Sequence, residues 1–120
     1  MPENAKIAWF EDDEDTLKYL GAYLERRGHK VIATAKNEEE AEELIDRIIE
    51  GELELDAIIM DGRLVKDSKI NHGKKYSTIL KNHGVETTVI GYSGDPAPWS
   101  HIEIDKLGDR TELNQAITDI

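Results

Sequence analysis

The chain has 120 residues and a mass of 13.6 kDa, enough for one domain with one ordinary hydrophobic core. It has no cysteine, which excludes disulfides and thiolate metal sites and suits a reducing, cytoplasmic compartment. Its 15 basic and 26 acidic residues give a formal charge of −11, a poor balance for nucleic acid or an anionic membrane surface. No apolar run approaches the roughly 20 residues that span a bilayer, and the opening Met-Pro-Glu-Asn-Ala-Lys lacks the apolar stretch of a signal peptide.

Lys6–Phe10 is a short apolar run that stops at Glu11-Asp12-Asp13-Glu14-Asp15, the pattern of a buried strand followed by a turn. Thr16 to Arg27 places Leu17, Leu20 and Leu24 at helical spacing, and Gly28 suits the position just past the helix end. Lys30–Thr34 predicts a second strand. Asn37 then suits an N-cap, with Glu40 as a capping-box partner. Ala41, Leu44, Ile45, Ile48 and Ile49 form the apolar stripe of the next helix, which Gly51 closes; its many acids read as a solvated face.

Asp56–Met60 predicts a third strand ending in Asp61-Gly62. A polar loop, 62–72, leads to a helix over Gly73–His83 with Tyr76, Ile79 and Leu80 on one face. Thr87–Tyr92 predicts a fourth strand ending at Ser93-Gly94-Asp95, and His101–Ile104 a short fifth one. Asp109-Arg110-Thr111-Glu112 opens a final helix with Leu113, Ala116, Ile117 and Ile120 inward. Strands alternating with helices imply an α/β domain over residues 1–120, a doubly wound five-stranded parallel sheet covered on both faces.

In such a sheet ligands bind outside the carboxyl ends of the strands. Glu11 and Asp12 follow strand one, and Asp61 follows strand three. If those strands are neighbours the carboxylates converge, and a hard cation such as Mg²⁺ relieves their repulsion. Ser93 after strand four adds a hydroxyl, and Lys106 after strand five an ammonium. A carboxylate nucleophile surrounded by a cation, a hydroxyl and an ammonium is suited to phosphoryl transfer through an aspartyl-phosphate. The Gly91-Tyr92-Ser93-Gly94-Asp95 stretch approaches a G-x-S-x-G elbow but lacks its last glycine, and no P-loop motif occurs. His29, His72, His83 and His101 lack ligand spacing and read as surface or loop residues.

The ordered set of Ile7-Ala8-Trp9-Phe10-Glu11-Asp12-Asp13-Glu14, Asp56-Ala57-Ile58-Ile59-Met60-Asp61, Thr88-Val89-Ile90-Gly91-Tyr92-Ser93-Gly94 and Ile104-Asp105-Lys106 resembles the response-regulator receiver domains of two-component systems. The resemblance spans essentially the whole chain. It implies the flavodoxin-like strand order 2-1-3-4-5 and phosphorylation of Asp61. It implies Mg²⁺ held by Glu11, Asp12, Asp61 and the carbonyl of Arg63, with Ser93 and Lys106 contacting the phosphoryl group. Asp13 competes with its neighbours for the metal-binding pair.

The implied partners are a sensor histidine kinase or histidine phosphotransfer protein and a downstream protein, without nucleic acid or membrane. The implied chemistry is at most Mg²⁺-dependent self-phosphorylation and autodephosphorylation. A pseudo-receiver, the same fold used for binding without phosphorylation, is the alternative.

Three departures stand out. Only twelve residues separate Ser93 from Lys106, so the fourth helix of the family is expected to be reduced or missing, with Trp99 covering the sheet there. Glu103 stands where the family often has an aromatic switch, so a monomer is expected before and after phosphorylation. Leu107 replaces the usual Pro after Lys106, which favours a trans bond. Arg63 and Asp95 are expected to face each other as an ion pair at the pocket mouth.

Overall fold

The fold is that of a computed structural model in which residues 4–62, 64, 70–94, 96–106 and 108–120 are described. Five strands, β1 (Lys6–Phe10), β2 (Lys30–Ala35), β3 (Ala57–Met60), β4 (Thr88–Ser93) and β5 (Ile102–Asp105), form one sheet of order β2-β1-β3-β4-β5. Every neighbouring pair is parallel. The helices are α1 (Glu14–Arg26), α2 (Glu38–Ile49), α3 (His72–Asn82) and α4 (Arg110–Thr118). Among the described residues no helix lies between β4 and β5, as the short Ser93–Lys106 spacing requires.

Local chemistry sets the helix ends. The Asp13 carboxylate accepts the N–H groups of Asp15 and Thr16, so α1 begins at Glu14, before the Thr16 expected from the leucine spacing. The Asn37 side chain accepts from Glu40, while Glu40 reaches back to the Lys36 N–H at 2.9 Å. Asn71 caps α3 at Lys74, and Asp109 caps α4 at Thr111. Gly28, at φ 95°, provides the left-handed residue after α1 that a side chain would strain.

The strand pleat divides the core into two layers. Ala8, Phe10, Ile58, Met60 and Val89 face α2 and α3, where Leu44, Ile45, Ile48, Tyr76 and Leu80 cover them. Ile7, Trp9, Ala57, Ile59, Ile90 and Tyr92 face the other way, onto Leu20, Tyr23 and Leu24 of α1 and Leu113 and Ile117 of α4. β3 is buried on both faces, which is why Ala57–Met60 reads as an unbroken apolar run. The β1–β2 register slips between Ile7 and Ala8: Ile7 pairs with Val31 and Ala8 with Ala33, leaving Ile32 as an exposed bulge.

The segment after β4 does the work of a helix. Trp99 packs against the α2–α3 layer of the core, as expected from the sequence. Its ring lies on Gly73, the second residue of α3. A Cβ built on Gly73 would stand 2.4 Å from two indole carbons and 2.8 Å from the backbone oxygen of Asp61. A methyl group there has a backbone atom on one side that cannot yield. Gly73→Ala is therefore expected to lose about 1–3 kcal/mol by overpacking, measured by urea unfolding. A variant as stable as the parent would mean that the indole is not seated on this glycine.

Two of the histidines read as surface or loop residues are buried: His29, in the connection from α1 to β2, and His72, the first residue of α3. His29 and His72 accept the backbone N–H groups of Ala5 and Leu64 on Nδ1, each at 3.1 Å. Both occupy places where an inward-facing amide has no ladder partner, and an imidazole nitrogen satisfies it.

Candidate functional site

The site lies at the carboxyl edge of the central strands. Glu11 continues β1, and its N–H donates to the Ala35 carbonyl at 2.9 Å. Asp61 continues β3, and its N–H donates to the Phe10 carbonyl at 3.0 Å. Lys106 follows β5, with its N–H on the Ser93 carbonyl at 3.1 Å. Sheet hydrogen bonding therefore fixes the backbone of each group, and the β1–β3 pairing brings the first two together.

Glu11, Asp12 and Asp61 each offer a carboxylate oxygen within a cluster no wider than 4.8 Å. Glu11 is fully buried, Asp61 nearly so, and Asp12 is half-buried. The ammonium of Lys106 sits between two of them, 3.1 Å from Asp61 Oδ2 and 2.6 and 2.8 Å from the two oxygens of Glu11. Nζ is in line to donate to Oε2; Oε1, though closer, lacks hydrogen-bond geometry and gains only charge pairing. Asp13 is not in the cluster: its carboxylate accepts at the start of α1.

Electrostatics make this an uncomfortable place for negative charge. Burial first, and then the neighbouring Asp61 carboxylate, push Glu11 up from 4.5 to about 8, against the pull of Lys106. The same two acids hold the Lys106 ammonium above its ordinary value despite its own burial. One lysine among three acids leaves the cluster under-neutralised. The unsatisfied geometry of Glu11 Oε1, its oxygen-only donor set and the 4.8 Å span fit a hard divalent cation such as Mg²⁺.

Ser93, which ends β4, is buried, and its Oγ lies 2.8 Å from the point where a Gly62 Cβ would stand. Gly62 thus lets the hydroxyl approach the residue next to Asp61, a contact the sequence reading missed; its signal was the bare glycine directly after the acid. Gly73 was missed in the same way. The proposed metal-ligand carbonyl of Arg63, the Arg63–Asp95 pair and the Leu107 peptide lie outside the described residues.

No protein-family profile and no curated protein matches the sequence. Solved structures do match. The Francisella response regulator 1452 receiver domain superimposes with a TM-score of 0.78 at 18% identity, over 97% of this chain and 95% of that one. A LuxR-family two-component response regulator from Aurantimonas gives 0.78 at 21%, over 97% of this chain and 84% of that one. RcsB from Salmonella enterica, bound to a promoter in the presence of phosphomimetic BeF₃⁻, gives 0.76 at 17%, and there 97% of this chain covers 59% of that one. The open parallel sheet and its strand order are therefore those of the response-regulator receiver fold, shared across nearly the whole chain. No described helix is long and apolar enough to cross a membrane.

Proposed function

We propose that the chain, as a single receiver-like domain, is the phosphoacceptor of a two-component-type relay, with Asp61 as the acceptor. The observation that carries this reading is the convergence of Glu11, Asp12 and Asp61 at the strand ends with Lys106 bonded between two of them. The partners are a histidine kinase or phosphotransfer protein as donor and a separate protein as target.

Asp61 Oδ attacks the donor phosphorus, a P–O or P–N bond breaks, and the leaving group departs with the electron pair and takes up a proton. Lys106, already 3.1 Å from Asp61, follows the negative oxygens of the incoming group. Ser93 donates its hydroxyl to one of them. Glu11, Asp12 and Asp61 would hold Mg²⁺, which when bound offsets charge on the phosphoryl oxygens.

The test is intact mass after incubation with Mg²⁺ and acetyl phosphate, or with a phosphorylated histidine phosphotransfer protein. One added phosphoryl group, mapped to Asp61, supports the reading. No addition from either donor favours the binding-module alternative.

Metal affinity gives a separate prediction. A cation that binds only the native state raises stability by RT ln(1 + [L]/Kd), about 2.7 kcal/mol at a hundredfold excess over Kd. Mg²⁺ in the millimolar range is expected to raise the melting temperature, and Asp12→Ala to remove most of the rise. An equal rise in the variant would place the metal elsewhere.

A further inference from the structure

The two sides of the Asp61–Gly62 pair are touched by a single stretch of chain. Ser93, at one end of that stretch, sets its Oγ against Gly62. Trp99, near the other end, lies on Gly73, and the point where a Gly73 Cβ would stand is 2.4 Å from two indole carbons and 2.8 Å from the Asp61 backbone oxygen, so both neighbours share that side of the glycine. Gly73 also donates its N–H to the Gly62 carbonyl at 3.1 Å. The indole and the acceptor's main chain thus meet at the bare Cα of one glycine, where a side chain would part them. Resting on the phosphoacceptor reading, we propose that Trp99 is the sensor of Asp61: its indole is seated on Gly73 in the unmodified protein and leaves that seat when Asp61 carries a phosphoryl group.

The seat has the properties of a two-state element. Apolar packing holds it, but Trp99 Nε1 is buried without a hydrogen-bond partner among the described residues. Leaving the seat hydrates that N–H, so lost packing is partly offset. The Ser77 hydroxyl bonds the Gly73 carbonyl at 2.7 Å and reaches the Trp99 carbonyl only at 3.5 Å, so the polar tie to the tryptophan is weak.

The turn bearing Trp99 is firm by contrast. The Ala97 N–H donates to Glu103 at 2.6 Å, and the Ser100 hydroxyl lies 2.7 Å from the Ala97 carbonyl and 3.0 Å from that of Ile102. The turn therefore keeps its shape while the indole docks or undocks. Modification supplies the bias. Phosphoryl oxygens compete for the Ser93 hydroxyl and for Lys106, and drawing Ser93 from Gly62 disturbs the Gly62–Gly73 contact under the ring. Undocking would expose an apolar ring beside α3, where no described helix lies between β4 and β5.

The chain has two tryptophans, and the indole N–H of Trp9, in the other core layer, is an internal control. The experiment records both indole N–H signals of the ¹⁵N-labelled full chain by NMR, assigned with Trp99→Phe, before and after adding Mg²⁺ and beryllofluoride. Fluorine spectra of the same samples report occupancy of the acceptor site. The expected result is a displaced Trp99 signal whose exchange with water speeds up at least about tenfold, as local opening produces, while Trp9 stays in place. Bound beryllofluoride with an unmoved Trp99 signal overturns the sensor and leaves the acceptor reading standing. Equal displacement of both signals also overturns it, because that is general loosening. Absence of bound fluoride together with no phosphoryl gain from either donor overturns the acceptor reading itself, and the sensor with it.

Discussion

Lys106→Met is expected to cost about 2–3 kcal/mol of stability near pH 8 in metal-free buffer, a little below the usual loss when one partner of a buried ion pair is removed. The discount has two sources. The lysine side chain is 23% exposed, so solvent already screens part of the interaction, and Glu11 can take up a proton when its counter-charge goes. The pH dependence follows from the raised position of Glu11. A carboxyl that titrates higher in the folded than in the unfolded chain makes its full contribution below its ordinary 4.5. It loses that contribution as pH rises toward about 8. Metal-free wild type should therefore weaken across that window. The variant should weaken more, because removing the lysine takes away the influences that lower Glu11. Below pH 4.5, where Glu11 is protonated in both, the two curves should approach each other. Urea unfolding across the range measures this; a deficit independent of pH would show that Lys106 acts by packing alone.

Asp61→Asn should move function and stability in opposite directions. Phosphoryl gain from either donor is expected to disappear entirely, since the amide offers no anionic oxygen for attack. Metal-free stability at neutral pH is expected to rise by about 1 kcal/mol, because Asp61 is the second-largest cause of the Glu11 shift and one pKa unit is worth about 1.4 kcal/mol. Part of that gain is returned through the lost contact with Lys106 at 3.1 Å. Loss of both properties together would mean that Asp61 is mainly a structural residue. Retained phosphorylation would move the acceptor elsewhere.

What was legible in the sequence was whatever depends on neighbours along the chain. Lys6–Phe10 and Asp56–Met60 stand out because a strand buried on both faces has no polar residue to interrupt it, and the acids that end them mark the sheet edge. That no described helix joins β4 to β5 was legible from the twelve residues between Ser93 and Lys106. Register against Phe10 favours Glu11 and Asp12 over Asp13 from the sequence alone, and the coordinates place the first two beside Asp61 while Asp13 caps α1. The burial of His29 and His72 was illegible because each satisfies an amide from a separate part of the chain, 24 and 8 residues away. The seat of Trp99 on Gly73 is a contact between two loops, and no periodicity encodes it.

The slip at Ile32 has a consequence for life at high concentration. A parallel sheet ends in two raw margins, and a straight, regular margin is a template for a stranger's strand and hence for fibre growth. The β2 margin is kinked by the extra residue and carries exposed Lys30. At the opposite margin the Ser100 hydroxyl, 3.0 Å from the Ile102 carbonyl, is placed to occupy that acceptor on β5. Deleting Ile32 would straighten the first margin, and its cost would appear as turbidity in concentrated stocks before it appeared as lost stability.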